Sequence, residues 1–99
     1  MASSKAEVIS AVETYVRENG RSYPDWYVGI AADPRDRLFN GHGVAENGGA
    51  WIYRTCATST IAREVEDSFT SLGMKGGPGG GDDSTTAVYA YKITRSTRE

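Results

Sequence analysis

Residues 26–42 read WYVGIAADPRDRLFNGH, and that order leaves little choice of local structure. A short apolar strand runs into a turn and then into a helix that carries arginine. Trp26, Val28 and Ile30 fall on one strand face, with Tyr27, Gly29 and Ala31 on the other, because side chains alternate along a strand. Asp33 is placed to cap the helix, and Pro34 takes its first position, where no backbone N–H is needed. Gly29 leaves the strand bare at one point, as where a backbone or a ligand comes close.

The flanking chain supplies a core for this unit. Val8, Ile9, Val12, Tyr15 and Val16 recur at helical spacing over 5–19, Ser4 with Glu7 forms a capping-box signature, and Asn19-Gly20 stops the helix. The second helix, about 34–40, ends at Asn40-Gly41. Residues 50–56 alternate as a strand, with Trp51, Tyr53 and Thr55 opposite Ile52, Arg54 and Cys56. Thr58 or Ser59 caps a third helix with the stripe Ile61, Ala62, Val65, Phe69 and Leu72, closed by Gly73. The run GGPGGGDDS at 76–84 breaks regular structure. Ala87–Thr94 alternates as a half-buried strand, and 95–99 reads as a frayed tail. The expected fold is a single small α/β (α+β) domain, with a three-stranded, mainly antiparallel or mixed sheet and three helices.

Composition narrows the function classes. At 99 residues the chain is one domain, and a formal charge of -2 carries no basic footprint of a non-specific DNA binder. The lone Cys56 excludes an intrachain disulfide, and one cysteine with one histidine makes no structural zinc site. No stretch approaches a membrane span and MASSKAEV lacks a secretory core, so the expected compartment is the cytoplasm. The glycine run lacks the lysine of a phosphate-binding loop, and Asp82 with Asp83 is a thin cation donor set.

YVGIAADPRDRL resembles the second half of the GIY-YIG nuclease signature, a Tyr-Ile-Gly strand leading to a helix with arginine ten residues on, here Tyr27 to Arg37. Ala62–Glu66 resembles the helix that brings the family's metal-binding glutamate, which puts Glu66 at the matching position; the resemblance spans about 26–70. It implies Mg²⁺-assisted cleavage of a phosphodiester in DNA or RNA. Glu66 would hold the metal, Arg37 the phosphate, and Tyr27 the attacking water. The family's opening Gly-Ile-Tyr strand does not precede Tyr27, but Ala90-Tyr91-Lys92-Ile93-Thr94 is similar to part of it. The C-terminal strand would then fill that slot, as in a circular permutation, with Tyr91 as the missing tyrosine. The family's histidine or tyrosine four residues past the arginine falls on Gly41, and His42 lies one further, off that face in an unbroken helix.

Each of these residues also has a plainer reading. Tyr27 fits a core wedge, Arg37 an ion pair with Asp33 or Asp36, Glu66 a half-exposed helix acid, and His42 a solvated loop histidine. Three readings follow: a nuclease, a non-catalytic module binding a protein or nucleic acid on the same scaffold, or an unrelated fold. They differ in whether Tyr27, Arg37, His42 and Glu66 converge.

Overall fold

The computed structural model describes residues 3–76 and 83–99. Among the described residues, three α-helices, with a short 3-10 turn at Tyr23–Asp25, accompany a four-stranded mixed sheet. Helix α1 spans Lys5–Glu18, and its capping box is complete: the Ser4 N–H donates to Glu7 Oε1 at 2.8 Å and the Glu7 N–H to Ser4 Oγ at 3.2 Å. Gly20 leaves it at φ +120, a conformation that side chains rarely adopt. Strand β1 is Trp26–Ala31. The Asp33 carboxylate then accepts the Asp36 N–H at 3.1 Å and starts α2, Pro34–Asp36, which widens at once into a π-type turn over Arg37–Gly41. Strand β2 is Trp51–Thr55. Thr58 caps α3, Ser59–Ser71, by accepting the Ile61 N–H at 3.1 Å. Strands β3, Lys75–Gly76, and β4, Ala87–Lys92, complete the sheet.

The strand order is β2-β4-β1-β3, so the last strand of the chain lies in the middle. β4 runs antiparallel to both β1 and β2, and β3 pairs parallel with β1. The expectation of three strands thus becomes four. The addition is only two residues long and sits where the glycine run begins, so it carries no alternation to read. Residues 77–82 of that run, Asp82 among them, lie outside the described residues.

β4 is also more buried than its alternation implies: Ala87–Tyr91 are all buried, because a central strand has both faces covered. One face meets α1 and α3 in an apolar core that includes Val8, Val12, Val16, Trp26, Val28, Val65, Phe69 and Val88. The other gathers Tyr27, Ala31, Leu38, Val44, Tyr89 and Tyr91 beneath the α2 turn. At the C-terminal end, Thr97 Oγ1 accepts the Thr94 N–H at 2.9 Å, and Arg98 returns to the second face, its N–H on the His42 carbonyl at 2.6 Å. Residues 95–99, read from sequence as a frayed tail, thus include a strap across that face.

Candidate functional site

The sheet register builds the site. Tyr27 lies directly opposite Tyr91, and Gly29 opposite Tyr89, so three tyrosines from two adjacent strands share one face. The Tyr27 and Tyr91 rings stack at 5.3 Å. Gly29 leaves the space that Tyr89 occupies: a Cβ at position 29 would sit 2.5 Å from the Tyr89 oxygen and 2.6 Å from its Cζ. The close approach expected at this glycine is therefore a neighbouring ring.

His42 closes the cluster, its ring 4.7 Å from Tyr27, 5.5 Å from Tyr89 and 5.0 Å from Tyr91. It arrives there through the turn that follows α2. The His42 N–H donates to the Arg37 carbonyl at 2.8 Å, an i to i+5 bond. That wide turn absorbs one extra residue, so His42 stands a single turn beyond Arg37 rather than off its face.

The hydrogen bonds fix the imidazole. His42 Nδ1 lies 2.6 Å from the Arg98 carbonyl, which can only accept, so in the neutral ring Nδ1 carries the proton. Nε2 then accepts from the Tyr89 hydroxyl at 2.7 Å. The Tyr91 hydroxyl donates to the same Arg98 carbonyl at 3.1 Å and stands 3.0 Å from Nδ1. One backbone oxygen therefore holds both a histidine and a tyrosine. The solvated loop histidine of the plain reading is instead buried, at 7% exposure.

Arg37 and Glu66 stand farther out, and both reach this cluster electrostatically. The Tyr89 hydroxyl is pushed well above the usual phenol range, first by burial and then by Tyr27; Arg37 lowers it and Glu66 raises it. Tyr91 is pushed up likewise, by burial and its neighbouring tyrosines. Glu66, on α3, is held above the ordinary carboxylate value by burial and by Asp67, with Arg63 opposing. Of the five residues singled out from sequence, Tyr27, His42 and Tyr91 touch one another, while Arg37 and Glu66 are linked to them through their electrostatic effect on Tyr89. Tyr89 is not among them, although its alternation with Tyr91 puts it on the same strand face.

A metal held by protein ligands alone has no donor set: among the described residues, no three His, Cys, Asp or Glu side chains gather to hold one. Mg²⁺ commonly keeps several waters and takes one or two carboxylates with substrate phosphate. A half-buried Glu66 whose charge is poorly solvated fits that smaller role. Cys56 is buried, and burial pushes its thiol up, as suits a small apolar core residue. Among the described residues no helix is long and apolar enough to cross a membrane. The chain matches no family model, no curated protein and no solved structure.

Proposed function

We propose that this chain is a GIY-YIG-like, metal-dependent nuclease acting on DNA or RNA. One observation carries the reading: 87–92 pairs with 26–31 in the register that sets Tyr27 opposite Tyr91. The permuted arrangement needs that pairing, and the two tyrosines lie 64 positions apart in sequence, so local propensity does not produce it. The wide turn that restores His42 to the Arg37 side, and the reach of Arg37 and Glu66 to one phenol, support the same reading.

In this scheme Arg37 offers its planar fork to the phosphate. The tyrosine pair and His42 orient the attacking water. Glu66 would hold Mg²⁺, which supplies stabilisation of the leaving oxygen when bound. The test is cleavage of single- and double-stranded DNA and RNA with Mg²⁺ or Mn²⁺. Wild type is expected to cut only with metal, Glu66→Gln not at all, and Arg37→Ala about a hundredfold more slowly. A parallel Mg²⁺ titration by backbone NMR is expected to shift the signals of Glu66 in wild type.

The burial of the cluster favours a second reading, a non-catalytic binding module. Tyr91 is 0% exposed and Tyr27 8%, and both His42 nitrogens are engaged. Metal-independent binding without cleavage, and no shift at Glu66 at millimolar metal, would decide for it.

A further inference from the structure

A second aromatic group lies beside the tyrosine cluster. Trp51 and Tyr53 stand on β2, directly opposite Tyr91 and Tyr89. Their ring planes differ by 7°, with centroids 6.2 Å apart, and both side chains are only partly buried. Phe39 packs edge-on against Trp51 at 5.0 Å, and the Trp51 indole N–H donates to the Glu46 carbonyl at 3.1 Å. The platform is therefore held in place before any ligand arrives. The Arg35 guanidinium lies 5.9 Å from the Trp51 ring and pairs with Glu46. A groove of about 460 Å³ runs along this edge, lined by Tyr15, Arg35, Trp51, Ile52, Tyr53 and Arg54.

We infer that Trp51 and Tyr53 form a stacking platform for the bases of single-stranded nucleic acid. The inference rests on the proposed function for its ligand class and gives that site a substrate form. Parallel ring faces along one strand let successive bases stack without reorientation, whereas bases in a duplex keep their faces covered. Arg35 and Arg54 line the same groove, and Arg37, two residues past Arg35, acts electrostatically on Tyr89 of the adjoining cluster. A strand added to this edge is the poorer fit. The Trp51 N–H already donates to the Tyr15 hydroxyl at 3.0 Å. The Tyr53 carbonyl accepts from Arg54 at 2.7 Å, and the Thr55 carbonyl accepts from the Ser3 N–H at 2.9 Å.

The test is fluorescence anisotropy with a labelled twelve-nucleotide oligothymidine, the matching duplex and a proline-rich peptide, in EDTA so that nothing is cut. Tryptophan emission is followed in parallel; Trp26 is fully buried, so quenching reports Trp51. Wild type is expected to bind the single strand in preference to the duplex, with quenching. Tyr53→Leu is expected to weaken binding about fivefold or more, and Tyr53→Phe, which keeps the ring, to restore it. Thermal melts of both variants establish that they fold; if Tyr53→Leu does not, Arg35→Gln is used, with a shallower salt dependence expected. Absence of single-strand binding, equal binding by wild type and Tyr53→Leu, preference for the duplex, or capture of the peptide alone would overturn the platform. Metal-dependent, Glu66-dependent cutting of duplex without single-strand binding would sink this inference and leave the nuclease standing. Tyr53-dependent binding with no cutting would do the reverse.

Discussion

On one face of the sheet, Val28, Val88 and Ala90 meet the valines of α1 and Val65 and Phe69 of α3; on the other, Tyr27, Tyr89 and Tyr91 meet His42. Both faces are buried, but the forces differ. Apolar contact has no direction, so the first face is governed by volume, and its failures are cavities. The second buries hydroxyls and an imidazole, which are stable there only while each finds its partner. The Arg98 carbonyl, serving both His42 and Tyr91, is what makes that possible. The first face holds the sheet together, and the second fixes particular atoms at particular places, as a site requires.

The largest effect is expected where volume is lost. Phe69 is 0% exposed and packs in the apolar core near Tyr23. Phe69→Ala should cost about 3–5 kcal/mol. In a domain of this size that lowers Tm by more than about 12 °C and consumes much of the total stability. A urea or thermal unfolding curve measures it. A loss below about 1 kcal/mol would mean that the apolar face is not the mechanical core, and the contrast between the faces would fail.

On the second face the sharper probe removes an atom and almost no volume. Tyr89→Phe deletes the hydroxyl that donates to His42 Nε2 and leaves a buried acceptor unmet. The expected cost is about 1–3 kcal/mol, with no cavity to account for it. Combining it with Tyr91→Phe should give a non-additive total, since Tyr89 donates to the imidazole and Tyr91 shares the Arg98 carbonyl with it. Additive losses would show that the hydrogen bonds do not act as a unit.

The two faces were also unequally legible. Helical spacing in 5–19 and 59–72 named the apolar core, and Ser4, Asp33 and Thr58 marked helix starts, because those signals are local. Strand alternation puts Tyr27 and Tyr91 on definite faces, but it does not say which strands are neighbours; only the resemblance to a permuted nuclease core points to 87–94 beside 26–31, and it does not place β2 on the other side of β4. The central position of β4 comes from pairing alone. His42 is legible only conditionally, for a related reason: five residues past Arg37 is off that face in an unbroken α-helix, and the wide turn over Arg37–Gly41 brings it back. The Arg98 contribution was beyond reach, since it is a backbone carbonyl whose residue type carries no signal. The arginines are visible as letters, yet only the fold sets Arg35 and Arg54 in the lining of one groove at β2.

The smallest effect concerns Glu66, and its sign separates the two faces by pH. Burial, then Asp67, raise its pKa above the ordinary 4.5, with Arg63 opposing. The native state therefore holds this proton to higher pH than the unfolded chain does. Between the ordinary value and the raised one the folded protein binds more protons, so stability contributed by this group falls as pH rises through that window. Below the window the neutral acid carries no penalty; above it the penalty is complete. Glu66→Gln removes the titration, so it should match wild type at pH 3.5 and exceed it at pH 7, in urea unfolding at the two values. Excess Mg²⁺ should narrow the gap at pH 7 if Glu66 meets the ion, because a bound cation relieves the buried charge. Equal stability at both pH values would show that the carboxylate is well solvated. The main physical reason for expecting it to take a metal would then be gone.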